Sequence, residues 1–213
     1  MPVVDVQFRL TGELIPVDHG YRLFSAVSEL IPKLHDRDEA GVHPIFGRLA
    51  GNRCLAITEK SFLTIRLSSE QIALILPLAG KNLRIGEHDV HVGVPRTLAL
   101  IPSARLYGHL IVIKGFMEPD PFLEAAQRQL QELDIKGKPS LIMQPQIAET
   151  NLGKQSGSHS LYLRRTIRIH DKEVVGFAVR VEELTAEESI RLQEKGIGGR
   201  RRFGCGLFLP ERR

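Results

Sequence analysis

The sequence predicts an α+β fold of two tandem ferredoxin-like βαββαβ units, residues 1–100 and 101–213. Three observations carry this. Short stretches alternate apolar and polar residues with the period of a half-buried strand. Between them lie segments with helical spacing, opened by capping signatures. The order strand, helix, strand, strand, helix, strand occurs twice along 213 residues, a length that suits one large or two small domains. The halves share no obvious residue identity, so the repeat is one of element order.

Residues 3–10 place Val4, Val6 and Phe8 on one parity and Asp5, Gln7 and Arg9 on the other, the pattern of a strand with one polar face. Asp18 stands where it caps a helix bearing Leu23, Val27, Leu30, Ile31 and Leu34 on one face, and Pro32 stops or kinks that helix near its end. A loop with Gly41 and Pro44 follows. Residues 55–57 and 62–67 read as a strand pair joined around Glu59 and Lys60. Ser68 with Gln71 spells a capping box before a short helix through Ile72, Ile75 and Leu76, which Gly80 ends, and residues 83–94 give one or two strands.

The second half opens on a strand over 106–114. Asp120 before Pro121 caps a helix through Phe122, Ala126, Leu130 and Leu133. Residues 141–147 form a strand, 154–160 a glycine- and serine-containing loop, and 161–169 with 174–181 a hairpin across Asp171-Lys172. Thr185 with Glu188 is another capping box, and Gly196 closes its helix in the left-handed conformation. Leu207-Phe208-Leu209 is a short strand stopped by Pro210.

Between that helix and strand runs a loop with Gly196, Gly198, Gly199, Gly204 and Gly206 around Arg200, Arg201 and Arg202. Glycine lets a backbone approach a ligand and aim its N–H groups into an anion-binding nest, and arginine adds planar donors suited to phosphate. The helix C-terminus opposes an anion, so glycines and arginines must outweigh it. The competing reading is a surface turn with a solvated basic run. Net charge is +4, a mild excess, but Lys154, Arg164, Arg165 and Arg168 occur with no acid between Lys154 and His170, which favours a polyanion partner. The two cysteines, Cys54 and Cys205, have no metal-ligand spacing and make no disulfide framework. No signal peptide is legible at Met1 and no apolar run approaches membrane-spanning length, so a cytoplasmic location is expected, with no membrane partner.

The glycine-rich loop, together with Asp18-His19-Gly20-Tyr21, Leu34-His35, Gly41-Val42-His43-Pro44-Ile45 and Val175-Gly176-Phe177, resembles the CRISPR repeat-processing endoribonucleases, RAMP-superfamily proteins with a C-terminal glycine-rich loop. The resemblance spans the whole chain. It implies two RNA-recognition-motif-like halves and cleavage of a precursor CRISPR RNA 3′ of a repeat stem-loop. It also implies attack by a 2′-hydroxyl without metal or cofactor, leaving a 2′,3′-cyclic phosphate and a 5′-hydroxyl. The expected partners are the repeat RNA and the other subunits of an effector complex.

Metal-free RNA cleavage needs a base for the 2′-hydroxyl, an acid for the 5′-oxygen and positive charge at the phosphorane. Histidine titrates nearest neutrality and fills either proton role. The resemblance puts the family's histidine at His35, as base, with His19 or Tyr21 as acid and His43 as alternate. Gly196 to Gly206 with their arginines, and Arg164, Arg165 and Arg168, are the RNA-holding set. His35 with Asp36, Asp38 and Glu39 also reads as a divalent-ion loop, but no second carboxylate cluster completes a two-metal site, so no metal ligand is assigned. A non-catalytic RNA-binding module on the same fold would keep the basic loop and leave the histidines without a task.

Overall fold

The structure is a computed structural model and describes residues 1–144 and 161–211. The expected strand residues 145–147, the 154–160 loop with Lys154, and Arg212 and Arg213 lie outside them. The elements run β1 (Val3–Gly12), β2 (Leu14–Pro16), α1 (Gly20–Leu30), β3 (Gly41–Val42), β4 (Arg48–Gly51), β5 (Cys54–Ala56), β6 (Phe62–Ser68), α2 (Ile72–Ile75), β7 (Asn82–Ile85) and β8 (His88–Ala99). They continue as β9 (Leu106–Ile111), α3 (Pro119–Glu132), β10 (Lys138–Leu141), β11 (Arg164–Ile169), β12 (Lys172–Glu182), α4 (Ala186–Lys195) and β13 (Phe208–Pro210).

Two antiparallel sheets form, with no strand in common. The first runs β3-β6-β1-β8-β7 and the second β10-β12-β9-β13, with β11 also paired to β12. Without the edge additions both have the ferredoxin-like strand order, with the fourth strand beside the first and the third beside the second. A small third sheet, β2-β5-β4, sits beside the first. The alternation in β1 does what it predicts: Val4, Val6 and Phe8 meet Leu67, Ile65 and Leu63 across the β1–β6 ladder and share a core with Leu23 and Val27 of α1. The second core gathers Leu106, Phe122, Leu130, Phe177, Val181 and Phe208. No helix among the described residues is long and apolar enough to cross a membrane.

Several local expectations are corrected. β5 pairs with β2 and β4, while β6 pairs with β1 and β3. The Ser61 hydroxyl ties the turn between them to the Phe46 carbonyl at 2.7 Å, and β6, buried along most of its length, takes a central place that half-buried β5 does not fill. Neither Ser68 nor Gln71 makes a side-chain cap; a 3-10 turn, Ser69–Gln71, leads into α2 instead. Helix α3 starts at Pro119, so Glu118 holds the cap position and Asp120 falls in the first turn, beside the helix's positive end. The hairpin turns at His170-Asp171, with Ile169 opposite Lys172. The Thr185–Glu188 capping box forms as read.

Gly196 has φ 64° but ψ −177°, outside the left-handed helical well, and a side chain there would run into the Gly206 carbonyl. Helix α1 ends at Leu30, and Pro32 opens a separate 3-10 turn, Pro32–Leu34. Its expected cap is absent: His19 holds the cap position without a side-chain bond to the helix, and the Asp18 carboxylate accepts instead from the Arg168 backbone N–H, at 3.0 and 3.2 Å.

That bond crosses between domains, and it is one of several. Asp5, on the polar parity of β1, is buried. The antiparallel register sets Asp5 opposite Arg66, which is wholly buried, and the guanidinium grips both carboxylate oxygens at 2.8 Å. Its remaining donors reach the Gln193 and Phe208 carbonyls of the second domain, at 2.8 and 2.9 Å. The Asp5 end of the face that the sequence leaves polar is therefore a domain junction, pinned by a guanidinium bonded at all three nitrogens, while Gln7 is half-buried and Arg9 exposed.

Candidate active site

Helix α1 is short enough to bring its two ends to one side of the junction. Tyr21 sits in its first turn and Phe24 one turn on. His35 follows the Pro32–Leu34 turn and returns to stack its ring 5.7 Å from that of Phe24. The loop after α4 supplies the opposite wall. Phe203 inserts edge-on against both Tyr21 and Phe24, each at 5.5 Å between centroids. Arg202 lies over Phe24 and donates to the His35 carbonyl, with Nη1 3.5 Å from His35 Nδ1 and Nη2 3.5 Å from Asp38. Tyr21, Phe24, Ser28, His35 and Phe203 line a cavity of about 270 Å³ open to solvent.

Gly20 makes this closure possible. A side chain there would strike the Phe203 carbonyl and the Ile167 side chain, so only glycine lets the second domain reach the start of α1.

The histidines separate into two kinds. His35 is exposed at the cavity. His19 is buried, its Nδ1–H donating to the Pro16 carbonyl and its Nε2 accepting from the Ile45 N–H, both at 2.8 Å. Burial pushes its pKa below the ordinary value, outweighing the bond to the Pro16 carbonyl. With both nitrogens held by backbone, it fastens the loop before α1 to the segment after β3 and has no free atom for a substrate proton. His43 is also buried, at the junction, with Nε2 3.6 Å from Asp5 Oδ1, beyond hydrogen-bond reach. Burial pushes its pKa below the ordinary value against the opposing pull of the Asp5 carboxylate, and the Arg66 and Arg201 charges push the same way as burial. The structure thus joins His35 with Tyr21 and separates both from His19 and His43. His109 faces Phe46 at 5.5 Å and is pushed down to about 4 by burial and by Arg165.

The arginines divide in the same way. Arg200 is exposed, in a left-handed conformation. Arg201 turns back to donate to the Lys195 and Glu194 carbonyls, capping the open end of α4. Burial pushes it down to about 10. Arg202 serves the His35 cavity. The loop glycines form no outward nest: Gly198 donates to Gln129, Gly199 to the Val112 carbonyl and Gly206 to the Leu110 carbonyl. Their N–H groups bind the loop to its own domain. On β11, Arg164 and Arg168 are exposed and Arg165 is half-buried.

Arg168 lines a second, larger groove of about 810 Å³ with Asp18, Tyr21, Arg22, His88 and His170. There His170 Nε2 lies 2.8 Å from Tyr21 Oη. The sequence alone leaves His170 structural; the fold puts it at a tight hairpin turn that follows the three arginines of β11 and against Tyr21. Among the described residues no three His, Cys, Asp or Glu side chains gather as a metal site; Asp38 of the acidic loop pairs with Arg202 instead.

Paired ferredoxin-like domains of this kind recur among solved CRISPR-associated proteins. The fold is shared with a solved "CRISPR associated protein Cas6" (TM-score 0.66, 12% identity, covering 99% of this chain and 100% of that one). It is shared too with "An RAMP protein binding different RNA substrates" (TM-score 0.67, 11% identity, covering 97% and 98%). In sequence, the Cas6 Crispr family model matches residues 4–213. The CRISPR-associated endonuclease Cas6 of Myxococcus xanthus (strain DK1622) is 37% identical over 210 residues, covering 99% of this chain and 82% of the relative. The chain belongs to the Cas6 family of CRISPR repeat-processing proteins.

Proposed function

We propose that this protein is an endoribonuclease that cuts CRISPR precursor RNA within the repeat, 3′ of a stem-loop. One observation carries the reading: in a Cas6 chain, His35 and Tyr21 line a single cavity at the domain junction, with an arginine at its edge. His35 takes the 2′-hydroxyl proton, and the 2′-oxygen attacks the adjacent phosphorus. Tyr21 gives its proton to the departing 5′-oxygen. Arg202 supplies the cation that steadies the phosphorane. The products are a 2′,3′-cyclic phosphate and a 5′-hydroxyl. Proton transfer and charge stabilisation both come from side chains, so no metal enters any step. His19 and His43 take no part; their task is to hold the junction.

In this reading residues 1–100 carry the proton-transfer groups. Residues 101–213 carry Arg202, with Arg200, Arg164 and Arg168 as exposed phosphate contacts, while the loop glycines serve packing. The test is a labelled stem-loop repeat RNA incubated with the protein in EDTA, beside the same RNA with hydrogen replacing the 2′-hydroxyl at the scissile nucleotide. One cut in the first and none in the second is expected. Cutting of the deoxy RNA sinks internal attack, a strict need for Mg²⁺ sinks the metal-free reading, and binding without any cut makes the protein a binding module.

A further inference from the structure

The tip of the β11–β12 hairpin reaches across to α1. Its two-residue turn puts His170 at φ 53°, in the left-handed region such tight turns require. The exposed ring lies 4.8 Å from the Tyr21 ring, with Nε2 2.8 Å from the phenol oxygen. Three contacts build this meeting. The Asp18 carboxylate accepts from the Arg168 N–H. Ile167 packs where Gly20 leaves room for it. Phe203 then braces the other edge of Tyr21. Residues 18, 20 and 21 thus hold residues 168, 167 and 170. Tyr21 stands in the wall between the two cavities, with His35 in the smaller and His170 in the larger.

We propose that His170 is a positioning and proton-relay residue that acts through Tyr21 on the leaving group; this rests on the RNA-cleavage reading above. Protonated His170 donates Nε2–H to Tyr21 Oη, which leaves the phenol's own proton free to face the substrate. As the bond from phosphorus to the 2′-oxygen forms and the bond to the 5′-oxygen breaks, the phenol proton passes to the 5′-oxygen. The His170 proton moves onto Oη, and His170 ends neutral. The 2′-hydroxyl proton ends on His35. The two histidines therefore finish in opposite states, one on each side of the reacting phosphate, and His170, being exposed, is recharged from solvent.

The experiment compares His170→Gln with wild type on a stem-loop repeat RNA that carries either the normal 5′-oxygen or a bridging 5′-sulfur at the scissile linkage. Glutamine keeps a donor for the phenol but has no transferable proton, and a thiolate leaves without one. His170→Gln should slow the oxygen substrate by about 10²-fold, the low end for a positioned acid, and cut the sulfur substrate at the wild-type rate. Tyr21→Phe should show the same sulfur rescue, and the double variant should be no slower than Tyr21→Phe alone, because the two act as one unit. Equal slowing on both substrates, or no slowing on either, overturns the relay. An unchanged melting temperature keeps the comparison clear of folding, since His170 lies on the surface. The wild-type reactions judge the parent reading separately: no cut in either RNA, or cutting of the 2′-deoxy form, removes that reading and this proposal with it.

Discussion

The buried junction and the open cavity beside it are made of the same residue types put to opposite uses. At the junction, Arg66 is wholly buried and donates to Asp5 and to two backbone carbonyls, while burial pushes the pKa values of His19 and His43 down. A few residues away, Arg202 and His35 meet at a solvent-open wall. The difference teaches that a histidine's task here is set by where its nitrogens point. The backbone claims both nitrogens of His19, whereas the His35 ring faces the cavity with only a long approach from Arg202.

The sharpest way to break the comparison is to exchange its predictions. His35→Ala should slow cleavage by about 10²–10⁴-fold with little change in hairpin affinity, because a neutral imidazole neutralises no phosphate. His43→Ala should leave the rate near wild type; if His43→Ala is dead and His35→Ala cuts normally, the two regions have been assigned the wrong way round.

The next effect falls on stability. Arg66→Met strands the Asp5 carboxylate in the junction and should cost about 3–5 kcal/mol in denaturant unfolding. Replacing both charges, Asp5→Leu with Arg66→Met, should recover much of that loss. Unaltered unfolding with lost cleavage would make Arg66 part of the site instead.

The smallest effect separates two adjacent arginines. Arg200→Ala should reduce the log–log salt slope of RNA binding by about 0.7–0.9, the loss of one phosphate contact. Arg201→Ala should leave the slope alone and lower the melting temperature, since it removes the α4 cap. A slope change from Arg201 rather than Arg200 would reverse their orientations.

The sequence made the element order legible because apolar parity and the Thr185–Glu188 box are local signals. It made His35 and Tyr21 legible through motif resemblance. It could not say that Asp5, on the polar parity of β1, is covered, because that depends on a partner domain rather than on β1 itself. Asp5 and Arg66 each look like ordinary surface charges until the register sets them face to face. The contact of His170 with Tyr21 was hidden for the same reason, the two being 149 positions apart. The glycine loop was half read: its residues lie at the site, but the freedom of glycine is used to let two backbones touch, at Gly196 and Gly206, rather than to cradle an anion.

The Arg66 bonds to Gln193 and Phe208 also set an order of events during synthesis. Strands β1 to β8 have all emerged from the ribosome well before residue 208, so the first domain can complete its own hydrogen bonds, the Asp5–Arg66 pair among them, while Arg66 Nη1 waits for its two carbonyl acceptors. Phe203, which walls the cavity, arrives in that same late stretch. Nascent chains therefore carry His35 and Tyr21 without the wall that joins them. Translation itself delays the assembly of a nuclease until nearly all of the described chain has been made.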